Sequence, residues 1–104
     1  MKNLVLAALF TAAGLAHADA CYLDYGPMKS CAEYTSSNAD VINMLKQSCT
    51  AQGKVAQWLA ECPGHYGCKI EQNPVTTTSW FQNGEAEGTA SQACALLKGT
   101  FVSK

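Results

Sequence analysis

The chain has 104 residues, with six cysteines, seven lysines, no arginine and eight acidic residues, for a formal charge of −1. That length accommodates one domain, and a mildly acidic chain without arginine lacks the basic footprint that nucleic acid or an anionic lipid surface requires. An apolar fraction of 48% against 14% charged residues is a globular balance and excludes a disordered tail.

Residues 1–18 read as a removable leader. Lys2 supplies the positive start, and Leu4–Phe10 opens an apolar run that ends near Leu15. Ala16-His17-Ala18 and Ala18-Asp19-Ala20 then offer two small-x-small cleavage sites. The run falls short of the roughly 20 apolar residues that cross a bilayer. Lipoprotein processing at Cys21 is disfavoured, because it wants an apolar residue at Ala18 and a small one at Asp19. The expectation is cleavage after Ala18, a single disulfide-rich domain over residues 19–104, a secreted or periplasmic location, and no stable membrane insertion.

After the leader, Tyr22-Leu23-Asp24-Tyr25 alternates, Gly26-Pro27 turns, and Cys31–Thr35 returns, which predicts a β-hairpin with a loop of about four residues. Ser36-Ser37-Asn38 offers an N-cap, with Ser37-x-x-Asp40 as a capping-box variant, for a helix over Ala39–Gln52 that stops at Gly53. Its less polar face carries Val41, Leu45, Ser48, Cys49 and Gln52. Lys54–Cys62 reads as a strand with period two, bounded by Gly53 and Pro63. Tyr66–Gln72 is a strand, Asn73-Pro74 a turn, and the β-branched, aromatic run Val75–Gln82 another strand. Asn83–Gly88 is a polar loop into a second helix that runs to Lys98, with Ala86, Ala90, Ala93, Cys94 and Leu97 on one side. Thr100–Val102 closes the chain as a short strand. The order β-β-α-β-β-β-α-β predicts an α+β fold: a small disulfide-stapled domain with an antiparallel-rich sheet and two helices on one face. A faint repeat runs through it, with Tyr34, helix, Cys49, Gly53 and Val55 matched by Trp80, helix, Cys94, Gly99 and Phe101.

Cys21, Cys31, Cys49, Cys62, Cys68 and Cys94 are an even set in a short exported chain, which reads as three disulfides. Six cysteines allow 15 connectivities. Placing both helical cysteines against strand cysteines suggests Cys31–Cys49 and Cys68–Cys94, leaving Cys21–Cys62 by elimination. The metal alternative centres on Cys62-Pro63-Gly64-His65-Tyr66-Gly67-Cys68, but structural zinc sites prefer C-x₂₋₄-C knuckles. A Pro-Gly turn with His65 solvated is the favoured reading, so no metal and no cofactor are expected.

The pattern Cys21, Cys31-Ala32-Glu33-Tyr34-Thr35, Cys49, Gly53, Trp58, Cys62-Pro63, Gly67-Cys68, Trp80-Phe81, Cys94 and Gly99-Thr100-Phe101 resembles a group of small exported bacterial proteins with six cysteines and no assigned activity. It spans nearly all of the chain after the leader. The resemblance implies export and three disulfides, and no reaction. The group tends to have paired glycines where this sequence has Gly53-Lys54 and Lys98-Gly99.

Chemistry is sparse. His65 is the one histidine beyond the leader, no G-x-S-x-G elbow is present, and an even cysteine count leaves no thiol nucleophile. Glu33, Glu61, Glu71, Glu85 and Glu87 qualify as acid/base pairs by type alone. No catalytic residue is assigned, and the expected function is a non-catalytic interaction module for an unknown protein or envelope macromolecule. A small inhibitor or immunity protein of a cell-wall hydrolase is the alternative, and an uncharacterised hydrolase the third reading. The candidate partner surface is Trp80, Phe81, Glu85 and Glu87, with Val75–Gln82 as an edge strand open to pairing.

Overall fold

The computed structural model describes residues 17–104. Residues 1–16 of the expected leader lie outside them. The elements are β1 (His17–Asp24), β2 (Lys29–Ser36), α1 (Ala39–Thr50), a 3₁₀ turn (Gly53–Val55), β3 (Ala56–Leu59), β4 (Tyr66–Gln72), β5 (Val75–Trp80), α2 (Glu87–Leu96) and β6 (Thr100–Ser103). The order is the one the periodicity predicts. All six strands form one sheet in the order β3-β1-β2-β5-β4-β6, and every neighbouring pair is antiparallel. The class is α+β.

Local chemistry explains most element ends. Asp24 Oδ1 accepts from the Gly26 N–H at 2.9 Å and the Tyr25 N–H reaches the Met28 carbonyl at 2.9 Å, closing the four-residue turn of the first hairpin. Asn38 is the N-cap of α1, its side chain accepting from the Asp40 N–H. Buried Ser36 accepts from the Asn38 N–H at 3.0 Å and donates to the Pro74 carbonyl at 2.7 Å, tying the start of α1 to the β4–β5 turn. Several predicted limits shift. Lys54–Cys62 contains only the four-residue β3, because the chain leaves α1 through the 3₁₀ turn before it extends. The buried residues of α1 are Ile42 and Cys49, with Ser48 exposed, so its inner face is rotated from the predicted one. In α2, Ala90 and Cys94 are buried while Leu97, expected inside, is 57% exposed.

Residues directly opposite each other on neighbouring strands share a face of the sheet. Following the pairing across all six strands gives one transverse row: Trp58, Cys21, Ala32, Ser79, Cys68, Phe101. The row is a palindrome of aromatic, cysteine and small residue, then small residue, cysteine and aromatic. Its two cysteines receive the helices, Cys49 of α1 bonding Cys21 and Cys94 of α2 bonding Cys68. Both helices therefore stand on one face. The chain is a ββαβ unit used twice, related by a pseudo-twofold axis between Ala32 and Ser79. The expected repeat survives only in its helix and cysteine, where Cys49 matches Cys94. The register pairs Tyr34 with Phe81 rather than Trp80, and Phe101 with Trp58 rather than Val55, and the unit begins a strand earlier.

The same alternation corrects the disulfide pairing. Cys68–Cys94 forms as expected. Cys31–Cys49 and Cys21–Cys62 do not form; the bonds are Cys21–Cys49 and Cys31–Cys62. Cys31 adjoins Ala32 in β2, so its side chain points away from the helices and out of reach of Cys49. It meets Cys62 instead, in the segment that crosses the sheet's other face between β3 and β4. There Ala20, Cys31 and Cys62 form a buried cluster packed by Tyr22, Leu59 and Trp80. Ala20 is fully buried, so leader removal after Ala18 leaves this cluster whole and removal after Ala20 would take a residue from it.

The two units differ where each leaves its helix. After α1 the left-handed position is Gly53, at φ 87°. After α2 it is Lys98, at φ 60°, a conformation that a side chain disfavours by about 1–2 kcal/mol. Gly99 follows because nothing else fits: a Cβ there would fall 2.5 Å from Cys68 Sγ and 2.9 Å from the Lys69 carbonyl oxygen. Lys98→Gly is expected to stabilise the domain by about 1 kcal/mol, whereas Gly99→Ala destabilises it. Denaturant midpoints at unchanged m-value check both.

Candidate functional site

The helices cover the two flanks of the sheet, α1 lying on β1, β2 and β3 and α2 on β4 and β6. Each is tied to a cysteine one strand away from the dyad, so neither reaches the middle. Ser79 is exposed at the centre of a six-stranded sheet, and Ala32 beside it is only half-buried. A cavity of about 320 Å³ opens over this centre. Ser30, Ala32 and Ser79 line it together with Leu23, Lys29, Tyr34, Phe81, Asn83 and Glu85. A second depression, of about 360 Å³, is lined by Pro63–Tyr66 and by Phe81, Gln82, Gly84 and Glu85. Phe81, Gln82 and Glu85 border both, so the loop between β5 and α2 is the partition between two hollows. Both volumes fall in the lower range of ligand-sized clefts.

The partition is held from several sides. The Gln82 side-chain amide donates to the Pro63 carbonyl at 2.6 Å, and the Phe81 N–H donates to the Tyr66 carbonyl at 2.9 Å. Glu85 accepts the Asn83 N–H at 3.0 Å. Tyr34, the dyad counterpart of Phe81, stacks on Trp58 at 6.3 Å between ring centroids. Burial pushes its phenol above the ordinary tyrosine range, since the phenolate would be desolvated there.

Of the four residues predicted as a partner surface, Phe81 and Glu85 are half-buried and line both hollows. Trp80 borders the first, but it packs mainly on the other face, against the Cys31–Cys62 cluster. Its indole N–H donates to the Glu33 carboxylate, and the Lys104 ammonium sits 4.4 Å from its ring centroid. Glu87 is exposed in the first turn of α2, where its charge suits the helix N-terminus, and lines neither hollow. The expectation of an open edge at Val75–Gln82 is overturned: β5 lies between β2 and β4, and its backbone is paired on both sides. The sheet edges are β3 and β6. Leu23, Ser30 and Ser79 escaped the sequence reading, because only the strand register brings them together with Tyr34.

The metal alternative loses its ligands. Cys62 and Cys68 are both in disulfides, and His65 is exposed with Nδ1 3.4 Å from the Lys104 carbonyl oxygen. Among the described residues no three His, Cys, Asp or Glu side chains converge on a common point.

Tyr34 supplies a test of this geometry. Its folded pKa lies above the unfolded one, so the native state holds this proton more tightly. The associated stability is complete below about pH 10 and is lost as pH rises through the folded pKa. Ultraviolet titration of the four tyrosines is expected to show one late-ionising phenol. Tyr34→Phe should remove that step and flatten the alkaline loss of stability.

No protein-family model, curated protein or solved structure matches this chain.

Proposed function

We propose that this chain is an exported, non-catalytic interaction module that holds a partner macromolecule of the envelope or extracellular space over the centre of its sheet. The observation that carries the reading is the uncovered middle of the helix-bearing face, where Ser79 is exposed between two helices that cystines keep apart. A surface already fixed in its bound shape avoids much of the ordering cost of association. Three disulfides fit an oxidising compartment. Among the described residues no helix is long and apolar enough to cross a membrane.

The chemistry of the rim favours a basic partner segment. Glu85 borders both hollows, whereas Lys29 lines the first alone, and Glu87 follows Glu85 two residues later at the exposed start of α2, outside both linings. Charges beside a binding surface steer an opposite charge and set salt dependence more than they set total affinity. Leu23, Tyr34 and Phe81 supply apolar and aromatic contact beneath, and the Ser30 and Ser79 hydroxyls offer hydrogen bonds on the floor. The reading needs no cofactor and no reacting group.

Two variants of the whole domain test it against the exported fraction of the producing cell. Glu85→Lys/Glu87→Lys reverses the rim, and Ser79→Trp fills the hollow without touching the covered flanks. Partners held by the parent should be weakened about tenfold or more by charge reversal, with a shallower salt dependence, and displaced by Ser79→Trp. Both variants stay folded, and Glu85→Lys/Glu87→Lys loses only the small contributions of the α2 N-terminal charge and the Asn83 N–H contact. Retention of the same partners by both folded variants would overturn the assignment. A cell-wall hydrolase as the dependent partner would specify the module as an inhibitor.

A further inference from the structure

The loop that partitions the two hollows contains the dipeptide Asn83-Gly84, and both residues are exposed. Gly84 has φ 72°, and the space where a Cβ would stand is open to at least 4 Å. An asparagine side chain is attacked by the backbone nitrogen of the residue that follows it. That step requires a free N–H and little bulk on the next residue, and glycine meets the second condition best.

The other described asparagines fail one condition or the other. Asn38 is followed by Ala39 at the start of α1, and its side-chain oxygen is engaged by the Asp40 N–H at 2.9 Å. Asn43 lies inside α1, where helical geometry fixes the following amide. Asn73 precedes Pro74, which has no N–H to lose. Exposed loops with small residues are also where backbone adjustment is least resisted.

We propose that Asn83-Gly84 is a spontaneous modification site, at which deamidation adds a negative charge to the loop beside Glu85 and Glu87. The Gly84 nitrogen loses its proton and bonds to Asn83 Cγ, the Cγ–Nδ2 bond breaks, and ammonia leaves. This gives a five-membered succinimide. Water then adds to one of the two ring carbonyls and opens the ring, leaving aspartate or isoaspartate at position 83. The net change is amide plus water to carboxylate plus ammonium, with no redox partner. The isoaspartate product inserts an extra backbone carbon between Asn83's position and Gly84, in the segment that ends at the Glu85 carboxylate holding the Asn83 N–H. The consequence for binding rests on the interaction reading, whereas the chemistry does not.

The test is timed incubation of the folded, oxidised domain at mildly alkaline pH, followed by peptide mass spectrometry with fragmentation that separates aspartate from isoaspartate. The expected result is conversion confined to position 83, a new acidic species on ion exchange, and abolition of both by Asn83→Gln. Survival of the Asn83 amide while an unfolded peptide of the same sequence converts would overturn the proposal, as would equal conversion at Asn38 or Asn43. Conversion at 83 with unchanged partner retention would uphold the modification site and count against the loop as a binding surface.

Discussion

Two cystines in equivalent places, Cys21–Cys49 and Cys68–Cys94, join each helix to the strand beneath it, and the rest of the molecule depends on that constraint. The largest fully buried side chains are themselves cysteines, Cys62, Cys68 and Cys94. Helices of 12 and 10 residues are marginal alone, and α2 buries only Ala90 and Cys94. So little apolar area cannot hold a helix on a sheet. Each cystine contributes roughly 2–4 kcal/mol by restricting the unfolded chain, and it does so at the contact where burial is weakest.

The placement of those bonds also shapes the surface. Because Cys21 and Cys68 are each one strand away from the dyad, the helices are held on the flanks and the Ala32–Ser79 centre stays open. The third cystine, Cys31–Cys62, works on the opposite face, where it fixes the link between the two units beneath β2 and supports Trp80. Stability is thus concentrated on the flanks and underside. The central hollow is left uncovered by either helix, and its walls come from β1, β2, β5 and the loop after β5.

Much of this was legible from the residues. Period-two and helical patterns placed every element in order, and the position of both helical cysteines on the less polar helix face pointed to strand partners. The pairing of Cys21 and Cys31 was not legible, since their faces are set by the hairpin register: Cys21 opposes Ala32, which puts Cys31 on the other side. Val75–Gln82 looked like an edge because it is a β-prone run flanked by loops. It is central because β2 and β5 meet at the dyad, a non-local pairing that no local pattern encodes. The site followed the same division. Phe81 and Glu85 stand out as an aromatic and an acid in a glycine-containing loop, whereas Leu23, Ser30 and Ser79 look ordinary until strands distant in sequence are laid side by side.

The central claim is that each ββαβ unit is closed by its own helix-to-strand cystine, with the third bond on the opposite face. Tryptic mapping of the unreduced protein tests it directly, because lysines separate most of the cysteines. The account predicts that the peptide ending at Lys29 is bonded only to residues 47–54. It also predicts that residues 30–46, 55–69 and 70–98 travel together through Cys31–Cys62 and Cys68–Cys94. Recovery of residues 30–46 bonded to 47–54, which would place Cys31 against Cys49, would contradict the register, the repeat and the open centre together.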